Sequence, residues 1–218
     1  MIRSVLVRLL NPRYAWLPAD AAPARILDVG AAAEDARIAK SRFPSCRFEA
    51  VNIAEIGPSE AREFDAYHRC DLDDTDLSFL PDGAYDYVIS SHTIEHLADG
   101  RATVARLCAK LRPGGLLYLE WPSVESLGFP IRGLGLNFHD DATHVRTFAL
   151  DEIAEIVRAA GIEVEFAGRR RMWLRLLISP VLIAVHSLKR RRLVLYDCWD
   201  LTGFCYVVRG RLKATAER

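Results

Sequence analysis

No CxxC pair, no internal repeat and no low-complexity segment occurs in the sequence, and basic and acidic residues cancel, 29 against 29. The five cysteines, Cys46, Cys70, Cys108, Cys198 and Cys205, are scattered and odd in number. That argues against a disulfide framework or a structural zinc module and makes a reducing cytoplasm the expected setting. Long hydrophobic runs are missing too: the apolar middle of 169–192 is short for a bilayer span and is broken by Arg175 and Pro180. There is no aromatic-interleaved basic patch or nucleic-acid module, so nucleic acid is not an expected partner.

What is present suffices for a globular chain. Half of the 218 residues are hydrophobic, enough for one full core, so 1–218 is expected to be a single domain with a modest appendage. The charge is unevenly placed: residues 169–218 carry 12 Lys/Arg against 3 Asp/Glu, giving an acidic body and a basic tail. Residues 1–18, MIRSVLVRLLNPRYAWLP, have one early Arg and an apolar run interrupted by Arg8. They read as a short amphipathic helix, not a signal peptide.

Along the body, buried-strand patterns alternate with helical ones. Strands are expected at 24–30, 46–53, 66–72, 84–91, 116–121, 162–168 and 203–211, and helices at 32–43, 98–111 and 150–161, the second stopped by Arg112-Pro113-Gly114-Gly115. This alternation implies an α/β fold with a mostly parallel sheet covered on both faces.

The strand at 84–91 runs into His92, Glu95 and His96. If that segment is helical, the i, i+3, i+4 spacing puts all three on one face at the carboxyl end of a strand, the edge where such sheets bind ligands. NFHDDATHVRTF (137–148) adds His144, which has to arrive from the loop after the fifth strand. His92, Glu95, His96 and His144 are therefore candidate ligands of a divalent cation. A bound cation would acidify a substrate hydroxyl. Alternatively His96 or His144 takes the hydroxyl proton as a general base, or the group only orients the loop. The catalytic candidates are His92, His96 and His144.

ILDVG (26–30), LPDGAYDYVISSHTIEHL (80–97) and LRPGGLLYLEWPS (111–123), in that order, resemble the class I S-adenosylmethionine-dependent methyltransferases over about Arg25 to Gly210. The resemblance implies a Rossmann-like seven-stranded sheet whose last strand is antiparallel, with S-adenosylmethionine as cofactor. The cofactor positions it implies are Asp28, Gly30, Ala32, Asn52, Ile53, Asp71, Leu72 and Ser91. Gly30 lets the strand turn sharply beside the ligand. Asp28 faces its cationic amino end, and Asp71 and Leu72 match the adenine contacts. Three positions depart from the pattern: Ala32 and Glu34 stand where further glycines are common, and Asn52 replaces the acid that grips the ribose hydroxyls. The His/Glu segment is similar to the ExxEH helix of metal-dependent relatives, the small-RNA 3'-terminal and polyprenyl catechol O-methyltransferases, with His92 in place of the first Glu.

The loop 122–147 is expected to be a lid or an acceptor surface, with Trp121, Phe129, Phe138 and Arg146 reaching toward the acceptor. For 169–192 two readings stand: a helix lying in an anionic membrane surface, or one laid apolar face down on the sheet or on a second subunit, Pro180 splitting its pattern. The resemblance to bacterial sugar- and polysaccharide-associated methyltransferases implies O-methylation of a small-molecule or glycan/lipid-linked hydroxyl. The enzyme would be cytoplasmic or peripheral to the inner face of the membrane, and homodimerisation is compatible with this. The alternatives are a methyltransferase of a membrane-dissolved quinone or phenol, and a catalytically silent binding module.

Overall fold

A computed structural model describes residues 10–18, 20–193 and 195–214. Most of the expected N-terminal helix lies outside the described residues. Its visible part is one turn, α1 (Pro12–Ala15), capped by Asn11, whose Oδ1 accepts the Arg13 amide at 3.0 Å.

Seven strands form one sheet in the order β3-β2-β1-β4-β5-β7-β6. They are β1 (Arg25–Val29), β2 (Arg47–Asn52), β3 (Ala66–Arg69), β4 (Tyr85–Ser91), β5 (Leu111–Pro122), β6 (Ile162–Arg169) and β7 (Cys205–Leu212). The first five run parallel, and β7 inserts antiparallel between β5 and β6. The strands alternate faces. Leu27, Val29, Val88, Leu117 and Leu119 pack with α4 (Gly100–Lys110) and α5 (Leu150–Ala159). Ile26, Phe48, Ala50, Ile89 and Tyr118 pack with α1 and α2 (Ala33–Arg42). The chain leaves β1 for β2 and β3 on one side, then crosses back to β4 on the other. The β1/β4 junction is thus a topological switch point, and a crevice is expected outside its carboxyl ends.

Three local expectations are corrected. Residues 92–96 are not one α-helix: His92 has a left-handed backbone (φ 54°), and only Ile94–His96 forms a 3₁₀ turn. The His92 amide still bonds the Glu120 carbonyl at 2.9 Å, prolonging the ladder of β4, so the helix cannot begin there. Arg112–Gly115 does not separate α4 from the next strand, because β5 begins at Leu111, reached through an irregular register with β4. Pro180 does not split the basic segment: α6 (Trp173–Arg190) runs through it, and Ser179 Oγ donates at 3.0 Å to the Leu176 carbonyl that the missing proline amide leaves free.

α6 packs on a 3₁₀ turn (Tyr196–Cys198) and on α7 (Trp199–Thr202), which return the chain to β7. Among the described residues there are also the short helix α3 (Pro58–Ala61) and 3₁₀ turns at Val124–Gly128 and Phe138–Asp140.

Candidate active site

At the switch point the chain bends on Gly30, whose φ is +88°. A Cβ there would sit 2.2 Å from Thr93 Oγ1, and that hydroxyl donates at 2.9 Å to the Val29 carbonyl. The exits of β1 and β4 are thereby locked together in a form only glycine accepts. Next to the bend, the wholly buried Asp28 has a resident cation: Arg13 Nη1 donates to its Oδ2 at 3.0 Å and lies 2.6 Å from Asp35 Oδ1. Asp28 Oδ1 is buried without a partner.

A cleft of about 480 Å³ opens at the ends of β2, β3 and β4. Asn52, Ile53, Asp71 and Leu72, four of the candidate cofactor positions, line it together with Asp73, Thr93 and Leu97. Ile53 is 63% exposed, an apolar lip for a flat ring. Asp28, Gly30, Ala32 and Ser91 do not line it. Asn52 braces the bend, its Nδ2 donating at 3.0 Å to the Ala31 carbonyl while Oδ1 accepts the Ala54 amide. Glu34 turns away to Arg37 and leaves the cleft clear.

A second cleft, of about 610 Å³, shares His92 and His96 with the first. Its other walls come from the 122–147 loop (Asn137, Asp140, His144) and from the segment before β7 (Tyr196, Trp199, Phe204). Asp140 shapes the loop by accepting amides from Gly133, Gly135, Leu136 and Asn137. Burial opposes its charge, but these four donors win and hold the carboxyl below its ordinary range. The loop is tied to the histidine turn, because the Glu95 carbonyl accepts the Val145 and Arg146 amides at 2.9 and 3.2 Å. The side chains expected to reach the acceptor do not line the cleft. Trp121 is core and donates to the Phe148 carbonyl, Phe138 is buried against His144, Phe129 packs on Phe204, and Arg146 lies over Phe148.

The histidines divide into two kinds. His92 is gripped on both nitrogens, Nδ1 by Glu95 Oε1 and Nε2 by Glu120 Oε1, each at 3.1 Å, with Cys205 Sγ at 3.6 Å. Burial disfavours its protonation, but these acidic neighbours outweigh that and hold the imidazole well above its ordinary pKa. Glu120 is held well below the carboxylate range, since Arg170, His92 and the Tyr118 hydroxyl overcome the effect of burial. Arg170 continues the network to Asp200, at 3.0 Å. His92, Glu120 and Cys205 also bring ligand atoms within 4.8 Å of one another.

His96 and His144 differ. His144 Nδ1 donates to the Phe138 carbonyl at 2.6 Å. Thr143 Oγ1 gives its proton to Asp141 at 2.6 Å and so faces His96 Nδ1, at 2.9 Å, as an acceptor. Both rings therefore carry the proton on Nδ1 and keep a lone pair on Nε2. Ligand atoms of Glu95, His96 and His144 lie within 4.8 Å of one another, and the wholly buried Glu95 has an unpartnered Oε2. Three of the four expected metal-ligand candidates are thus together, and His92 faces Glu120 and Cys205 instead.

A family model described as a methyltransferase domain matches residues 3–166. The chain belongs to this methyltransferase family. α6 and β7 lie beyond the matched stretch. Over 101 residues the chain is 34% identical to a Mycolicibacterium smegmatis protein named "Probable S-adenosylmethionine-dependent methyltransferase". That match takes in 45% of this chain and spans 37% of the relative's length. The fold is similar to that of an S-adenosylmethionine-dependent methyltransferase from Mesorhizobium loti (TM-score 0.60, 18% identity, 90% of this chain and 94% of that one). It is also similar to a Burkholderia thailandensis N1-methyltransferase solved with S-adenosylhomocysteine (TM-score 0.53, 18% identity, 97% and 77%).

The cofactor that family membership implies has a flat adenine and a cationic end. The first cleft suits both, with apolar Ile53, Leu72 and Leu97 beside the carboxylates of Asp71 and Asp73; the expected partner of the cationic end, Asp28, is buried on Arg13 and does not line the cleft. The clearest residues missed by sequence reading are Glu120, Arg170, Trp199 and Arg13. Only Glu120 left a signal, a carboxylate within the apolar run LLYLEW, which demands a buried partner.

Proposed function

We propose that the chain is an S-adenosylmethionine-dependent methyltransferase that methylates a hydroxyl of a small-molecule or glycan/lipid-linked acceptor. One observation carries this reading: the clefts of about 480 and 610 Å³ meet at His92 and His96, so a donor molecule in one and an acceptor in the other would face each other across the histidines. S-adenosylmethionine, held by Asn52, Ile53, Asp71 and Leu72 beside Gly30, supplies an electrophilic methyl group. The chain's own part is to place the acceptor hydroxyl against Trp199, Phe204 and Tyr196, and to remove its proton at Nε2 of His144 or His96.

A second reading, favoured by the unpartnered Glu95 Oε2, adds a divalent cation on Glu95, His96 and His144, which would hold and acidify the same hydroxyl. Calorimetry with S-adenosylhomocysteine tests the first reading. Binding is expected, and its absence at millimolar ligand returns the chain to a silent binding module. Thermal unfolding with Mn²⁺ or Zn²⁺ tests the second. Stabilisation of the native protein that vanishes in Glu95→Gln and His144→Ala supports it, and equal stabilisation of all three removes it.

A further inference from the structure

α6 is inverted relative to an ordinary surface helix. Trp173, Leu177, Val181, Val185 and Leu188, one turn apart, are all exposed, Trp173, Leu177 and Leu188 by nearly four-fifths. The stripe runs about 22 Å at 1.5 Å per residue. The inward face carries the polar groups: Arg175 reaches Asp197 and Asp200 at 3.3 Å each, and His186 Nδ1 meets Asp197 at 2.7 Å. The sheet therefore does not cover the apolar face, which removes the sheet from the second of the two sequence readings and leaves its other half, a second subunit.

Both ends of the stripe are basic. Arg171 precedes it, Lys189, Arg190, Arg191 and Arg192 follow it, all exposed, and no Asp or Glu occurs between 169 and 196. Among the described residues no helix is long and apolar enough to cross a membrane. We propose that α6 docks the protein on an anionic lipid surface, its apolar stripe entering the acyl boundary and its terminal cations meeting the headgroups. A second copy is the poorer occupant, because with cations at both ends of the stripe, basic ends face basic ends in either pairing direction. The proposal does not rest on the catalytic reading. If both hold, the acceptor-cleft wall at Tyr196 and Trp199, on which α6 packs, lies next to the lipid.

Flotation with phosphatidylcholine vesicles, with and without phosphatidylglycerol, tests this on the full chain. The native protein is expected to float with the anionic vesicles and to partition about tenfold less with neutral ones. Leu177→Asp/Val181→Asp and Arg191→Glu/Arg192→Glu should each lower partitioning about tenfold or more. Unchanged circular dichroism and unchanged S-adenosylhomocysteine affinity would show the fold intact. No flotation of the native protein, equal flotation with neutral vesicles, or flotation untouched by both variants overturns the proposal. So does a solution dimer that Leu177→Asp/Val181→Asp dissolves, which would assign the stripe to a second copy.

Discussion

The two clefts share His92 and His96 but are built in different ways. The first is made of backbone and short-range turns: a glycine bend, the Asn52 bridge to Ala31, and an Asp71 side chain that accepts the Asp73 amide. The second is assembled from segments remote in sequence and held by buried charge, through His92, Glu120, Arg170 and Asp200. A cofactor common to a whole family can be recognised by local backbone. The second cleft's wall adds long-range ion pairs to the local amide bonds of Asp140 and Glu95. Burying charge is costly, so the second arrangement is the one more exposed to single substitutions.

The largest expected effect lies there. Arg170→Met removes the cation that Glu120 and Asp200 share, leaving buried Glu120 to His92 at 3.1 Å and Asp200 to Arg175 at 3.3 Å, and should lower stability by about 3 kcal/mol, read by denaturant unfolding. Adding Glu120→Gln and Asp200→Asn should recover much of the loss. A single variant as stable as the native protein would erase the distinction drawn above. His144→Ala comes next: kcat should fall about a hundredfold or more while S-adenosylhomocysteine affinity holds, separating the chemistry from the cofactor cleft. Loss of both together would merge the two.

Gly30→Ala attacks the backbone-built side. Its positive φ alone costs about 1–3 kcal/mol, and S-adenosylhomocysteine binding should weaken in the same protein. Adding Thr93→Ala removes the clash but not the dihedral strain, so recovery should be partial. The smallest effect is expected from Asp140→Asn, about 1 kcal/mol from weakened amide acceptance. Because the folded Asp140 carboxyl is held low, its contribution is present above the unfolded value of about 3.9 and is lost as pH falls. The native protein and the Asp140→Asn variant should therefore converge in unfolding temperature on acidification.

The sheet was legible because buried parallel strands write themselves as apolar runs. All seven strands lie where the sequence put them, with β5 alone starting early, through Arg112–Gly115. The cleft-lining residues Asn52, Ile53, Asp71 and Leu72 were legible because Asn52 ends β2, Ile53 follows it, and Asp71 and Leu72 lie two and three residues past the end of β3. His92 was misplaced because a spacing rule for helices was applied to a residue in the left-handed region, which no periodicity reports. Trp199, Tyr196 and Arg170 carried no signal. Their role depends on β7 folding back between β5 and β6, which brings 170–204 beside a strand that ended at 122.

The Glu95 carbonyl, holding two consecutive amides of the 122–147 loop, works as a stitch that fixes one margin of the second cleft. The opposite margin is held by a side chain instead: Asp140 takes the amides of Gly133 and Gly135, and Tyr196 packs against Gly135. In Asp140→Asn, deuterium uptake at Gly133 and Gly135 should therefore rise while that at Val145 and Arg146 holds.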